Sequence, residues 1–179
     1  MHTEVLRETV KILGIAGSLQ SHSTNAALLD VARLRAPEDL EVVVFNALAQ
    51  IAPFNPELDP VPPAVERLRA LVEMADGVLI ATPEYAHGLP GVLKNALDWL
   101  VGSGELYAKP VVIVSAAPSS ERGAHARADL ERTLRAQGAD VLGSTTIAVP
   151  TSVRGRELGH AGIAAAVQCA LAAFTAFPD

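Results

Sequence analysis

The chain has 179 residues, 50% of them hydrophobic and 19% charged, a balance that excludes a disordered chain and suits one globular domain with a real core. A net charge of −6 argues against a general nucleic-acid or anionic-membrane binder. The single cysteine, Cys169, excludes an internal disulfide and a cysteine metal cluster, and MHTEVLRETV at the start has no long apolar stretch, so no secretory signal or membrane span is expected and a cytoplasmic setting is the default.

The first apolar run, residues 10–15, reads as a strand. It leads into Gly17-Ser18-Leu19-Gln20-Ser21-His22-Ser23-Thr24-Asn25, a segment rich in hydroxyls, and then a helix over 25–36 with Leu28, Leu29, Ala32 and Leu34 on or near one face. Residues 40–45 form a second run, unbroken and β-branched at Val42-Val43-Val44, as strands read when both faces of a parallel sheet are covered. Residues 46–62 hold Pro53, Pro56 and Pro60 and read as an ordered surface loop. Pro62-Pro63 opens a helix to residue 75, proline being suited to the first helical turn, with Val65, Leu68, Leu71 and Val72 at helical spacing.

The third run, 77–81, precedes TPEYAHGLP at 82–90 and a helix over 91–101 carrying Val92, Leu93, Ala96, Leu97 and Leu100. The fourth, 111–116, is again unbroken and β-branched, and leads through Ala117-Pro118-Ser119-Ser120-Glu121-Arg122-Gly123 into a helix over 124–137 that stops at Gly138. A fifth run, 141–148, and an alanine-rich helix over 157–177 complete the chain. Strand and helix alternate five times with no repeat and no dividing linker, which predicts one doubly wound parallel sheet with right-handed crossovers. Ligands of such sheets bind outside the carboxyl ends of the strands, where strand order reverses.

Three post-strand loops therefore matter. In the first, Ser18, Ser21, Ser23, Thr24 and Asn25 offer short donors beside the positive end of a helix, which suits phosphate; plain helix capping uses the same residues. There is no Gly-Lys-Ser/Thr and no G-x-G-x-x-G. The second loop is too long for an economical turn. Pro83 and Pro90 stiffen its ends, while Gly88 and Gly91 let backbone approach a planar ligand, with Gly88 taken to need a positive φ and Tyr85 packing beside the ring. The plainer alternative is a rigid connection with a buried tyrosine. The five histidines lack metal-ligand spacing, so no metal site is expected; His87, in the second loop, is the one placed to face a substrate. G-x-S-x-G is absent, and Cys169 reads as a small buried hydrophobe.

Together the loops resemble the NADPH-dependent FMN reductase family, flavodoxin-like proteins that include quinone, chromate and azo-dye reductases. Gly17, Ser18, Ser23 and Asn25 match the family's Gly-Ser-x-Arg-x-x-Ser-x-Asn. Pro83, Glu84, Tyr85, Pro90, Gly91, Leu93, Lys94, Asn95, Ala96, Asp98 and Trp99 match its Pro-Glu-Tyr-Asn-x-Ser-x-Pro-Gly-x-Leu-Lys-Asn-Ala-x-Asp-Trp, and Gly123, Ala124 and Ala126 a weaker glycine-rich segment. Gln20 stands where the family has arginine, Ala86 where it has asparagine, Gly88 where it has serine, and Arg122 and His125 replace a glycine and an arginine. Either cation supplies positive charge for a nicotinamide-nucleotide phosphate, or Arg122 is a solvated surface residue.

The resemblance implies a single flavodoxin-like domain over 1–179 (1–9 an extension) with strand order 2-1-3-4-5 and helices on both faces. It implies FMN held by Ser18, Gln20, Ser23, Thr24, Asn25, Pro83, Glu84, Tyr85, Ala86, His87, Gly88, Ser119 and Gly123, with NADPH or NADH as donor and no catalytic side chain. The partner is a small-molecule electron acceptor such as a quinone, azo dye, metal oxyanion or free flavin. A homodimer or homotetramer follows, with no nucleic-acid or membrane partner. The alternatives are a non-enzymatic FMN electron carrier and a relative with weakened flavin binding. Lys94 and Asp98 read as a helix-surface pair, and Trp99 as packing or a subunit contact.

Overall fold

A computed structural model describes residues 9–119, 121–150 and 161–176. The elements are β1 (Val10–Ala16), α1 (Thr24–Arg35), β2 (Leu40–Phe45), α2 (Pro63–Met74), β3 (Gly77–Ala81), α3 (Gly91–Val101), β4 (Pro110–Ala117), α4 (Ala124–Ala136), β5 (Asp140–Ala148) and α5 (Ala161–Thr175). All neighbouring strands are parallel, in the order β2-β1-β3-β4-β5. This is the flavodoxin-like sheet the sequence implied.

Side-chain alternation divides the core into two layers. Leu13, Ile15, Val78, Ile80, Val111 and Ile113 face α2, α3 and α4. Ile12, Val42, Leu79, Ala81, Val112 and Val114 face α1 and α5. β3 is buried at every position because it lies in the middle of the sheet. β2 departs from expectation: it is an edge strand, and Glu41 and Val43 are exposed although its sequence reads like that of β4. A β-branched run records strand propensity and does not distinguish an edge from a centre.

Two helical assignments change. Leu34 is exposed, because the buried face of α1 runs through Leu28, Leu29, Val31 and Ala32. Cys169 is exposed as well, not buried. The buried face of α5 runs through Ile163, Val167, Ala170, Leu171 and Phe174, and at 100° per residue Cys169 falls on the other side. An alanine-rich helix gives little polar contrast by which to orient it. The sequence assignment of helix to 157–160 and 177 lies outside the described residues.

The LKNALDW segment serves the long proline-rich loop. Asn95 accepts from the Phe54 amide at 2.8 Å and donates to the Ala52 carbonyl at 2.9 Å, and the Trp99 indole N–H donates to the same carbonyl at 2.8 Å. The Phe54 ring meets Trp99 edge-on at 5.2 Å, so Trp99 is packing within the chain. Lys94 and Asp98 form the helix-surface pair. Arg69 donates to the Trp99 carbonyl at 2.8 Å, and Lys109 reaches the Glu73 and Ala75 carbonyls at the end of α2, where cations are favoured. Burial lowers the pKa of Lys109, with Asp76 and Glu73 opposing the shift.

Candidate functional site

The loops after β1, β3 and β4 meet at the carboxyl edge of the sheet. Gly17 leaves β1 with its amide on the Ala81 carbonyl at 2.8 Å. A Cβ there would lie 2.9 Å from Thr82 Oγ1 and 3.1 Å from Leu93, so the close approach of the first two loops requires glycine. Ser18 is buried; its Oγ accepts from the Gln20 amide at 3.3 Å and lies 3.1 Å from Tyr85 Oη. Ser23 is the N-cap of α1, accepting from the Ala26 amide at 3.3 Å. Capping is therefore real, and it is also incomplete. The amides of Thr24 and Asn25 find no acceptor among the described residues, and α1 has no acidic residue in its first turn. The helix end is left open to an anion. Gln20 is exposed beside it.

Asn25 has a second role that its position in the motif did not reveal. It is 4% exposed, and its Oδ1 accepts from the Ala116 amide at 2.8 Å, pinning α1 to β4. The side chain is a strut, and its backbone faces the open helix end.

The second loop starts with Thr82, whose amide donates to the Val114 carbonyl at 2.9 Å and whose own carbonyl accepts from Ser115 Oγ. Tyr85 and Gly88 then exchange both backbone hydrogen bonds, at 3.1 and 3.0 Å, closing a two-residue turn. Its apex residues, Ala86 and His87, have φ of 49° and 60°, as a type I′ turn demands. The expectation that Gly88 adopts a positive φ is corrected: it does not, and a Cβ there would make ordinary contacts, 3.4 Å to Asp129 Oδ2 and 3.9 Å to the Tyr85 carbonyl. The strain falls on two residues that carry Cβ atoms, at about 1–2 kcal/mol each. The sequence offered no sign of it, because neither Asn-Gly nor Asp-Gly marks this turn. The apex amides of Ala86 and His87 have no partner among the described residues. Tyr85 is 46% exposed, which overturns the buried-tyrosine alternative.

Glu84 lies between the apex and the start of α4. Its Oε2 accepts from the His125 and Ala126 amides at 2.9 and 3.2 Å, capping α4, and its Oε1 lies 3.5 Å from His87 Nδ1. The His87 and His125 rings meet edge-on at 5.2 Å, and the His87 side chain is 82% exposed. Gly123 begins α4 at φ 83°, with Ser115 Oγ only 2.9 Å from where a Cβ would sit. Arg127 donates to Thr146 Oγ1 and the Arg122 carbonyl; burial lowers its pKa, opposed by Glu131 and Glu84. Arg122 is exposed, and Ser119 is half-buried, its carbonyl accepting from the Arg122 amide at 3.3 Å. Pro83 is half-buried at the start of the second loop. Among the described residues, no group of three or more His, Cys, Asp or Glu side chains is placed to hold a metal ion.

Two sets of amides without a partner among the described residues, at the start of α1 and at the apex of the turn, are linked by the Ser18–Tyr85 contact. The first suits a phosphate and the second the polar edge of a planar heterocycle, so these residues fit FMN.

The parallel sheet in the order β2-β1-β3-β4-β5, with the loops after β1, β3 and β4 gathered at its carboxyl edge, defines a flavodoxin-like protein. A flavodoxin of Bacillus cereus shares the fold at a TM-score of 0.62, with 15% identity over 94% of this chain and 100% of that one. The NADPH-dependent FMN reductase family pattern matches residues 10–153, and the chain belongs to that family. An NAD(P)H-dependent FMN reductase of Pseudomonas aeruginosa is 37% identical over 72% of this chain and 71% of its own length. A quinone reductase of Escherichia coli is 32% identical over 72% and 71%. The flavoenzyme NAD(P)H:(acceptor) oxidoreductase of Paracoccus denitrificans superposes at a TM-score of 0.74, with 26% identity over 93% and 95%. The oxidoreductase class, FMN and NAD(P)H expected from the sequence are those of this family. No helix among the described residues is long and apolar enough to cross a membrane.

Proposed function

We propose that this chain reduces a small-molecule acceptor with NAD(P)H through FMN held at the carboxyl edge of the sheet. The observation that carries this reading is the pairing of an anion-ready helix end at Thr24 and Asn25 with the apex amides of Ala86 and His87, which have no partner among the described residues, joined through Ser18 and Tyr85. FMN bound there would supply the redox chemistry between the nicotinamide donor and the acceptor. The protein binds and orients. Ser18, Gln20, Ser23, Thr24 and Asn25 hold the phosphate, and Pro83 with the turn from Tyr85 to Gly88 lies against the ring. Glu84 and Gly123 act on the site through the placement of the turn and of α4. Ser119 borders the site from the fourth loop.

A short phosphate loop without the dinucleotide glycine spacing favours FMN over FAD. Quinones, azo dyes, metal oxyanions and free flavins are the acceptor class, in keeping with relatives named quinone reductase, NADPH azoreductase and NADH-dependent flavin reductase subunit. A homodimer or homotetramer is proposed, with exposed Met74 and Val101 at the ends of α2 and α3 as available apolar surface. Light scattering at micromolar concentration tests it; a monomer removes it.

The function is tested by titrating the purified protein with FMN and with FAD, then adding NADPH or NADH without oxygen. Saturable FMN binding and bleaching of the flavin absorbance are expected. A protein that binds FMN no better than FAD, or binds it and is not bleached by either donor, refutes the reading.

A further inference from the structure

The turn from Tyr85 to Gly88 is strained and is nevertheless well formed. Ala86 and His87, both with side chains, occupy the left-handed region, where glycine or asparagine is the usual choice. Such conformations persist only where the surroundings over-determine them. Two attachments do this here. On one flank Tyr85 Oη meets Ser18 Oγ at 3.1 Å. On the other, Glu84 reaches two partners at once: Oε2 on the first amides of α4, and Oε1 at 3.5 Å from Nδ1 of His87, itself one of the strained residues. The His87 ring also rests edge-on against His125 of α4, and Gly88 passes near Asp129. An anion at a helix N-terminus is held by both hydrogen bonds and the helix dipole, so this attachment is strong for a half-buried side chain.

We propose that Glu84 is a positioning residue for the flavin: it clasps the turn to α4, and the clasp holds Ala86 and His87 with their amides presented to the ring. This rests on the placement of FMN proposed above. Glu84 itself need not touch the cofactor, since both its oxygens are engaged within the protein. The clasp also explains why α4, unlike α1, does not offer its first-turn amides to a ligand: Glu84 occupies those of His125 and Ala126, and the Glu121 carbonyl that of Ala124.

The experiment is a cycle of Glu84→Ala and Ala86→Gly, with Glu84→Gln as the conservative variant. Glycine at 86 adopts the left-handed conformation without help, so it removes the need for the clasp. FMN affinity is measured by fluorescence titration. Independently, order at the Ala86 and His87 amides is measured by ¹⁵N relaxation on the flavin-free protein, with melting temperature as the control for folding. Glu84→Ala is expected to weaken FMN by about tenfold or more, with mobile apex amides. Glu84→Gln, which keeps an acceptor for α4 and loses the charge, is expected to fall between. The double variant is expected to recover most of the affinity. If Ala86→Gly changes affinity equally in both backgrounds, Glu84 acts by another route and the proposal fails. It fails equally if the apex amides of Glu84→Ala stay as ordered as the parent's. If the parent binds no FMN, the functional reading falls, while the relaxation data still decide whether Glu84 holds the turn.

Discussion

Ser18 Oγ and Tyr85 Oη, 67 residues apart in the chain, lie 3.1 Å from one another and form the bridge between the loop after β1 and the turn after β3. The same Oγ accepts from the Gln20 amide, so one hydroxyl orders the phosphate loop internally and ties it to the turn. A two-point ligand such as FMN needs its phosphate and ring subsites at a set separation, and this contact helps to hold it.

Tyr85→Phe removes the bridge and leaves the ring in place. Stability is expected to fall by about 0.5–1.5 kcal/mol, the usual net value of a hydrogen bond. FMN binding is expected to weaken several-fold, while riboflavin, which lacks the phosphate, is affected less because it does not span both subsites. Denaturant unfolding and paired titrations measure this; equal losses for FMN and riboflavin would mean that the bridge does not set their separation.

Gln20→Arg places a guanidinium at the exposed position beside the open end of α1. A charged hydrogen bond to the phosphate is expected to tighten FMN by about 1.5–3 kcal/mol. The gain should shrink in high salt. An unchanged affinity would put the phosphate elsewhere.

Asn25 separates the strut from the subsite. Asn25→Ala leaves the Ala116 amide without its acceptor and is expected to cost about 1–3 kcal/mol of stability. Asn25→Asp retains an acceptor at the same place and sets a negative charge in the first turn of α1, where the helix dipole tolerates it. Burying a carboxylate is expected to cost some stability, offset in part by the helix dipole and the retained strut, and FMN is expected to weaken at least about tenfold through repulsion of the phosphate. If Asn25→Asp binds FMN like the parent, α1 does not face the phosphate.

Glycines 88 and 123 should respond in opposite ways. Position 88 is not in the left-handed region and has room for a Cβ, so Gly88→Ser is expected to change stability by no more than about 0.5 kcal/mol and to keep flavin. Position 123 has φ 83° and lies against Ser115, so Gly123→Ala is expected to lose about 1–3 kcal/mol. Thermal unfolding and the flavin-to-protein ratio after gel filtration distinguish them; a large loss from Gly88→Ser would show that the turn tolerates no side chain there.

The sequence by itself determined the alternation of strands and helices, because apolar runs with β-branched residues and helical spacing are local signals that burial merely confirms. It singled out the three post-strand loops too, since all are rich in Ser, Pro and Gly, and the long motif from Pro83 to Trp99 carried the family. What only the tertiary structure decided were relationships between loops. Val42-Val43-Val44 could not say that β2 is an edge, and the alanines of α5 could not say that Cys169 faces out. Glu84, Asn25 and Ser18 look alike in a motif, as polar residues in ligand loops. Their roles as clasp, strut and bridge depend on Ala126, Ala116 and Tyr85, which are 42, 91 and 67 residues away. Hydrogen bonds across such separations are set by how the helices pack on the sheet, and that packing is the sum of the whole core and not of any local pattern.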